Sequence, residues 1–490
     1  MNIIIKSFDG PVDKRILERA LGGMNIGTCV SISNDEKMVP NIAAKKHIWM
    51  EERPLREGRF RGTDWNSLAP LDEELIEQMR HCEAVFMNMV GKYVSKTRFA
   101  FSGSIPYEER KRQYFEHLRY WNDFLDTRKI DLILMYHVPH KCYDYVLYGL
   151  CKIKGIPVLY IEFNHAIDAL FIVEDWEASA VQLRDRILEL QTEYREDGKP
   201  VPLSQNYETY FQHYRNREPT RWYKPNIHVL AQGSFIQKWC RKAWKVCRKN
   251  PTYFIKAVLS PQFWSYKLRQ HRTIQFYNHH IRTPDLSKPF IYVPLHRQPE
   301  ATTVPMAGAF ADQERIVQLI AAYLPKDIAI LVKEHPTQGE RCRSKEFYQA
   351  LLDIPAVTFI PKETDTFQLI DHSLAVATAT GTVSFEAFLR QKPVLMFGHY
   401  FYQYAPGVFR IRTSKDCEEA LNAILHTQEL IAERDVRIFL KALEECATPF
   451  PGPPDSPHER YTQDEKTDLV GALIEKSILK NQRGNKTASP

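Results

Sequence analysis

The chain has 490 residues, of which 44% are hydrophobic and 26% are charged. This length exceeds what one hydrophobic core usually serves, so two domains are expected. The nine cysteines form no Cys-x-x-Cys pair, which argues against a zinc or dithiol site. The N-terminus becomes charged too early for a signal peptide, and no stretch approaches the roughly 18 apolar residues of a spanning helix. These observations predict a cytoplasmic protein.

The net charge of +6 conceals a strong asymmetry along the chain. Residues 215–282 contain fifteen lysines and arginines and a single acid, Glu218, so the remaining residues together are acidic. A basic segment in an otherwise acidic protein predicts an anionic partner for that segment.

The first 210 residues combine short apolar strands with long polar helices. A strand, a helix and a second strand follow one another between residues 131 and 161, which predicts parallel pairing through a right-handed crossover. The predicted strands are 2–5, 131–136 and 157–161, and the predicted helices are 72–81, 107–127 and 143–154.

The C-terminal half has the clearest pattern, with five apolar strands that alternate with helices. This alternation predicts a doubly wound parallel sheet, and ligands of such sheets bind at the carboxyl ends of the strands. The predicted strands are 289–295, 328–333, 357–361, 374–378 and 393–397, and the predicted helices are 312–324, 345–352, 367–372 and 384–390.

The last forty residues are typical of a linker and tail. Residues 449–457 are rich in proline, 467–479 predict one short helix, and 481–490 predict disorder. The predicted organisation is an acceptor-side α/β domain at 1–214, a basic tryptophan-rich helical segment at 215–285, a nucleotide-sugar-binding α/β domain at 286–447, and this tail at 448–490.

Polar residues follow the fourth strand of the C-terminal half, where a helix begins. Gly381, after Thr380, permits close backbone approach, while Thr382 and Ser384 offer hydroxyls at the helix start. Free amides and the positive helix end suit a phosphate there, and Glu386 is placed to accept hydrogen bonds from ribose hydroxyls. The plain alternative is an ordinary helix cap, in which a hydroxyl satisfies the first amides.

Two neighbouring strand ends carry similar residues. Lys333 and His335 lie at the end of the second strand, where Pro336 fixes the turn, and both side chains are expected to face the cleft as donors to a phosphate. Gln298, followed by Pro299, places an amide on a rigid turn after the first strand. The alternative for His335 is a structural hydrogen-bonding role.

These segments resemble the bacterial capsule polysaccharide biosynthesis family. That family is marked by a Gln-Pro and a His-Pro motif, matched by Gln298-Pro299 and His335-Pro336. The resemblance is specific across about 289–398 and rests on residues 292–303, 311–313, 332–336 and 381–387.

The family includes Kdo transferases that prime capsule chains on a lipid acceptor. The resemblance implies that the C-terminal domain binds a donor nucleotide, with His335 near its phosphate and Ser384 and Glu386 nearby. It implies a CMP-linked donor and transfer without a metal, and no cofactor beyond the donor. Together with the strand patterns, it predicts a GT-B-like fold with two Rossmann-type domains that face a cleft.

The candidates for a catalytic carboxylate lie in the N-terminal half. The resemblance implies an acid after the strand 157–161, which Glu162 matches, although the family's Glu-x-Gly pattern is replaced by Glu162-Phe163-Asn164. Glu162 is predicted as general acid or base toward the acceptor hydroxyl, with His165 or Asp168 in support. A helix cap or a lysine pair is the alternative. Asp9, after the first strand, is a second candidate.

Two histidines, His137 and His140, follow the strand at 131–136 and are expected to line the acceptor side. They have the look of a metal pair, but no nearby cysteine or carboxylate completes one, and no metal site is predicted.

The basic segment allows three interpretations. Nucleic acid is disfavoured because no RNA- or DNA-binding module signature is present. Residues 235–247 can form a basic interfacial helix, which favours docking on the inner-membrane surface. The third interpretation is a solvated helical insertion whose tryptophans are core.

The leading hypothesis is transfer of a sugar from a nucleotide donor, CMP first, to a lipid-linked or growing glycan. The alternatives are a UDP-sugar epimerase or hydrolase of the same fold, and a non-catalytic capsule assembly or export factor.

Overall fold

The computed structural model describes the chain apart from residues 61, 92–103, 165–166, 168, 196–199, 217–243, 245–246, 249–250, 337, 339–342, 428–429, 451–460 and 488–490, and the side chains of 253–254 and 483–487.

The first α/β unit is formed by the first 215 residues. Its two central strands are buried along their whole length and are apolar except for Lys6, because strands covered by helices on both faces expose neither side to water. Its strands are β1 (Ile3–Lys6), β2 (Ile26–Ser33), β3 (Ala44–Glu51), β4 (Leu132–Met135), β5 (Val158–Asn164) and β6 (Ala169–Val173). Its helices are α1 (Pro11–Leu21), α2 (Glu52–Arg56), α3 (Glu73–Gln78), α4 (Arg80–Met89), α5 (Tyr107–Arg128), α6 (Tyr143–Lys154), α7 (Val181–Glu193) and α8 (Gln205–Arg215).

Two helices represent the basic segment among the described residues, α9 (Pro251–Leu259) and α10 (Pro261–His279). The interfacial helix predicted at 235–247 lies almost wholly outside the described residues.

The second α/β unit follows the predicted alternation closely. Helix Lys345–Leu352 has the predicted bounds, and the five predicted strands differ from the observed ones by at most one residue at either end. Its strands are β7 (Phe290–Pro294), β8 (Ala329–Lys333), β9 (Val357–Ile360), β10 (Ala375–Thr378), β11 (Val394–Met396) and β12 (Val408–Arg410). Its helices are α11 (Glu314–Tyr323), α12 (Lys345–Leu352), α13 (Thr366–His372), α14 (Thr382–Leu389) and α15 (Ser414–His426). The chain ends with α16 (Glu433–Cys446), β13 (Thr448–Pro449) and α17 (Gln463–Thr487).

Both sheets have the strand order of a Rossmann fold. The first runs β13-β6-β5-β4-β1-β2-β3, with β5 to β3 parallel and the β6 and β13 pairings antiparallel. The second runs β12-β11-β10-β7-β8-β9, all parallel. In each sheet the first strand is central and the chain reverses direction beside it, at the point where ligands of open sheets bind. The predicted pair of Rossmann-type units is confirmed.

In the C-terminal tail the helix predicted at 467–479 is confirmed, but the disorder predicted from residue 481 is wrong as far as Thr487. Strand β13 pairs with β6 in the first sheet, and α17 continues to Thr487 through residues predicted to be disordered. Val470, Ile474 and Ile478 are fully buried in the core of the first unit, one helical turn apart. Gly471 allows this packing, because a Cβ there would lie 2.9 Å from the Cβ of Arg19 on α1. The chain therefore returns to complete the first unit.

The two units also touch directly through the 3-10 turn Phe401–Tyr404 of the second unit. Tyr404 Oη donates to Ala178 O at 2.7 Å, and His399 Nδ1 lies 2.8 Å from Glu177 O. We refer to the contact of residues 399–404 with residues 162–179 as the seam. None of the helices in the described ranges is long and apolar enough to cross a bilayer.

Candidate active site

Three loops of the second unit lie side by side at the carboxyl edge of its sheet, because β7 lies between β10 and β8. His296, from the loop after β7, bridges to the neighbouring loop: its Nε2 lies 2.6 Å from Thr378 Oγ1 and accepts from the Thr380 N–H at 3.3 Å. Burial lowers the pKa of His296 to about 3, helped by the charges of His335 and Arg343, so this imidazole is neutral at pH 7.

The structure gives a steric reason for a glycine at position 381 that the sequence alone did not give. A Cβ at this position would lie 3.1 Å from His296 Cε1 and 3.0 Å from Thr378 Oγ1, so the close approach is to the bridging histidine. Gly381 N also donates to Thr378 Oγ1 at 3.2 Å. Thr380 donates its hydroxyl hydrogen to Thr302 O at 2.9 Å. The loop between β10 and α14 is therefore held in one conformation.

Helix α14 begins at Thr382 without a side-chain cap. The plain alternative, in which Thr382 or Ser384 caps the helix, is therefore wrong. Thr382 occupies the first helical position, one residue after the cap position, and Ser384 is fully buried. The start of this helix leaves backbone amides with hydrogen-bonding capacity at the sheet edge.

Glu386 lies one turn into α14 and is 5% exposed. Its Oε2 has no hydrogen-bond partner among the described groups. Burial raises the pKa of Glu386 to about 8, although the positive charges of Lys333 and Arg390 oppose the shift. A buried carboxyl with an unmet oxygen is uncommon and points to a missing partner.

Lys333 does not face the cleft, contrary to the prediction. Its ammonium donates to Thr364 O at 2.8 Å and to Thr366 Oγ1 at 2.7 Å, and the residue is 4% exposed. Burial lowers the pKa of Lys333 to about 8. As the last residue of a buried parallel strand, it is directed toward the next loop of the sheet.

Gln298 is likewise used inside the protein. Its Nε2 donates to Ala311 O at 2.6 Å, and its Oε1 accepts from Arg343 Nη1 at 2.9 Å. The same arginine binds Glu334 Oε2 through Nε at 2.6 Å and His296 O through Nη2 at 2.7 Å. Tyr348 Oη donates to Glu334 Oε2 at 2.7 Å. The buried Arg343–Glu334 pair, which the sequence analysis missed, joins the loops after β7 and β8.

His335 is half-buried at the end of β8, followed by Pro336. Its pKa lies below the usual value because of burial first, and then because of the cations Arg297, Arg343 and Lys362, while Glu334 opposes them. Arg343 is paired with Glu334, but Arg297 and Lys362 add positive charge to this corner of the sheet edge, which suits an anionic ligand.

Glu162 lies inside a strand and not after it. Strand β5 continues to Asn164 and is followed by the antiparallel strand β6, in which Phe171 pairs with Glu162. The side chain is 3% exposed and accepts hydrogen bonds from Ser179 Oγ and from the backbone of Phe401 in the seam. Burial raises the pKa of Glu162 to about 7. Its predicted supports, His165 and Asp168, lie outside the described residues.

Asp9 is exposed at the carboxyl end of β1. Its two carboxylate oxygens accept from Asn34 N at 2.8 Å and from Asn34 Nδ2 at 2.7 Å. This side chain is thus accessible and held in place from a neighbouring strand end.

The same edge of the first sheet contains a buried ion network that the sequence analysis missed. Lys6 forms an ion pair with Asp144, and both side chains are fully buried. Lys141 Nζ lies 2.9 Å from Glu52 Oε1, and Tyr143 Oη donates to the same oxygen at 2.9 Å. The cations Lys6 and Lys141 lower the pKa of Glu52 to about 2, against the effect of burial.

His137 and His140 lie beside this network, with ring centroids 4.5 Å apart. Burial lowers the pKa of His137 well below its usual value, and the charges of Lys6, His140 and Lys141 act in the same direction. Across the residues whose placement is described, no group of three potential metal ligands is found.

The family model of capsule polysaccharide biosynthesis proteins matches residues 208–420, which include every strand of the second sheet. No curated protein matches the chain.

Solved structures give only weak likenesses. The β-Kdo 2,7 transferase KpsC of Thermosulfurimonas dismutans is 11% identical with a TM-score of 0.32, over 96% of this chain and 99% of that chain. A glycosyltransferase of Rickettsia africae is 11% identical with a TM-score of 0.29, over 98% and 99%. The UDP-GlcNAc 2-epimerase of Methanocaldococcus jannaschii is 12% identical with a TM-score of 0.26, over 91% and 100%.

Such low scores support no argument about function, which rests instead on the family match and on the chain's own geometry. Residues 208–420, which contain the Gln-Pro and His-Pro motifs, are therefore similar to the capsule polysaccharide biosynthesis family.

Proposed function

We propose that this protein is a glycosyltransferase of bacterial capsule or surface polysaccharide biosynthesis. It transfers a sugar from a nucleotide donor to a lipid-linked or growing glycan at the cytoplasmic face of the inner membrane. CMP is the first candidate nucleotide and Kdo the first candidate sugar, on the resemblance alone. The observation that carries the proposal is the uncapped start of α14 beside Glu386, whose Oε2 has no partner among the described residues, within the family-matched segment.

The donor phosphate is assigned to the corner between His335 and the start of α14. The amides that follow Gly381 donate to its oxygens, and the positive helix end and the cations near His335 offset its charge. Stabilising the charge of the leaving nucleotide is the main task of this corner, because that charge grows as the glycosidic bond breaks.

Glu386 is assigned to the ribose. Its Oε2 accepts a hydrogen bond from a ribose hydroxyl when the carboxyl is ionised, and its protonated form donates one. A ribose hydroxyl bound to Oε2 gives this buried oxygen a hydrogen-bond partner, and this favours binding.

Lys333 and Gln298 act as positioning residues in this mechanism. Lys333 holds the loop after β9, and Gln298 with Arg343 holds the loops after β7 and β8. Ser384 and Thr380 belong to the same rigid support, while Pro336 fixes the turn that presents His335.

Asp9 is the carboxylate that we propose as the base toward the acceptor hydroxyl. It is exposed at the edge of the first sheet, and hydrogen bonds from Asn34 fix its orientation. Glu162 has a pKa near the operating pH but lies buried in the seam, so a direct role requires that the seam opens. In the closed seam it is a positioning residue.

Calorimetric titration with CMP, CDP, UMP, UDP and GDP tests the proposal. We expect selective binding of CMP by the wild type, weakened at least tenfold in His335→Ala because hydrogen bonds to a charged group contribute about 1.5–3 kcal/mol. Selectivity for UDP would move the chain toward a UDP-sugar epimerase or hydrolase. Absence of nucleotide binding would overturn the enzyme proposal and favour a non-catalytic assembly factor.

A further inference from the structure

The segment that leads into α9 and α10, together with these helices, exposes an unusual number of large apolar side chains. Six of the twelve such side chains among the described residues lie between positions 244 and 268, and Leu259 is 75% exposed. Scattered apolar residues are normal on a surface, but a local concentration marks an interaction site. We call this group the apolar ridge; its members are Trp244, Ile255, Val258, Leu259, Trp264 and Leu268.

The ridge is anchored to the second unit from one side only. Helix α10 buries Gln270, Thr273 and Tyr277, and Tyr277 Oη donates to Ile360 O at 3.2 Å. Trp264 and Leu268, nearer its start, face solvent. Most other exposed positions of this helix are polar or charged, so Trp264 and Leu268 stand out as large apolar side chains on its solvent-facing surface.

The turn between the two helices holds the ridge in a defined shape. Trp264 Nε1 donates to Val258 O at 2.8 Å, and Ser260 caps α10 through the N–H of Phe263. The ring of Trp264 is thus fixed by its polar end, which leaves its apolar surface beside the aliphatic side chains of α9.

Every Asp, Glu, Lys or Arg in the sequence segment that forms the ridge is basic. The sequence contains no aspartate or glutamate between Glu218 and Asp285, and Lys256, Arg269 and Arg272 are exposed on α9 and α10. The guanidinium of Arg248 lies 5.3 Å from the centroid of the Trp244 ring. Aliphatic and indole side chains surrounded by cations match a bilayer with an anionic surface, where the apolar groups enter and the cations meet the headgroups.

We propose that the apolar ridge docks the protein on an anionic lipid surface. Two copies of this chain would bring like charges together at the ridge, and a nucleic acid offers no partner for Leu259 or Ile255. The inference rests on the proposed function only for the reason why docking is useful. A glycosyltransferase with a lipid-linked acceptor works where that acceptor is anchored.

Sedimentation with vesicles tests the proposal on the full chain. We expect binding to vesicles of phosphatidylethanolamine with phosphatidylglycerol, and at least tenfold weaker binding to phosphatidylcholine alone. The double variant Leu259→Glu/Leu268→Glu should lose at least about tenfold in partitioning, because two apolar contacts become charged. The double variant Lys256→Gln/Arg269→Gln should lose about fivefold for each removed charge, and higher salt should weaken wild-type binding.

The matched control is Leu188→Glu, a leucine that is 57% exposed on α7 of the first unit and should leave partitioning unchanged. Nucleotide titration of the same variants separates the two proposals, since ridge variants should bind nucleotide as the wild type does. The proposal is overturned if the wild type does not bind anionic vesicles, or if Leu259→Glu/Leu268→Glu binds them as strongly as the wild type does. Sedimentation equilibrium that shows a dimer lost only in that variant would assign the ridge to a second copy instead.

Discussion

The carboxyl edges of the two sheets contain similar polar residues but use them differently. At the first sheet, each buried cation meets a carboxylate, as in the pairs Lys6–Asp144 and Lys141–Glu52. At the second sheet, Arg343 is paired with Glu334 in the same way, but Lys333 binds only a carbonyl and a hydroxyl, and Glu386 keeps an oxygen without a partner in the described ranges.

This difference indicates that the two sheet edges have different roles. The charges of the first edge hold its own loops, including Ser7 with its left-handed φ of 64°. The second edge has hydrogen-bonding capacity that its own chain does not meet, so it is the edge suited to a ligand. Substitutions can test that contrast, and the greatest loss is expected at the first edge.

Removal of Asp144 should give the largest loss of stability. Asp144→Ala leaves Lys6 charged and buried without its partner, which costs about 3–5 kcal/mol. Lys333→Met, the matched change at the second edge, should cost at most about 2 kcal/mol because no ion pair is broken. Urea unfolding of both variants measures the contrast, and equal losses would contradict it.

Ile474→Ala tests whether the C-terminal helix belongs to the first unit. The side chain is fully buried against α1, so its truncation should lower the free energy of unfolding by about 2–5 kcal/mol. Leu479→Ala, on an exposed position of the same helix, should change it by less than about 0.5 kcal/mol. Equally small effects of the two substitutions on urea unfolding would contradict this packing and support the predicted tail instead.

Glu162 should make stability depend on pH. Its pKa is raised to about 7 in the folded protein, so the folded state binds more protons than the unfolded chain between about 4.5 and 7. The stability that Glu162 contributes is fully present below the pKa of this group in the unfolded chain, and it is lost as the pH rises through about 7. Relative to Glu162→Gln, the wild type should lose about 1–3 kcal/mol across that range. Parallel pH profiles of thermal unfolding would contradict this, because they would show that the pKa of Glu162 is the same in the folded and unfolded states.

Asp9→Asn should have the smallest effect on stability. The side chain is exposed, so the free energy of unfolding should change by less than about 0.5 kcal/mol, and nucleotide affinity should be unchanged. Sugar transfer should fall by a factor of about 100 or more if Asp9 is the base. Unchanged transfer would remove Asp9 from the proposed mechanism.

The second unit could be predicted from sequence because its signals are local. Short apolar strands alternate with helices, and Gly381 and Glu386 lie within eight residues of a strand end. Arg343 could not be assigned, since it joins the site from ten residues beyond the end of β8 and only the folded loop brings it to Glu334.

The first unit was harder for physical reasons. Strand β3 is mostly exposed or half-buried and polar, so it lacks the apolar run that reveals a buried strand, and the role of Glu52 directly after it was hidden. Glu162 was misplaced because β6 pairs antiparallel with β5, which lengthens that strand beyond its apolar core. The return of α17 to α1 is a contact between the two ends of the chain, and no local pattern encodes it.

The position of the nucleotide site is best tested by calorimetry, through nucleotide affinity in Glu386→Leu and His140→Ala. We predict that Glu386→Leu weakens binding by roughly twofold to tenfold, because burial keeps most of this carboxyl protonated near pH 7 and a neutral hydrogen bond contributes about 0.5–1.5 kcal/mol. His140→Ala should bind nucleotide as the wild type does. Unchanged binding in Glu386→Leu together with loss in His140→Ala would place the nucleotide at the first sheet and contradict the assignment of the second edge to the ligand.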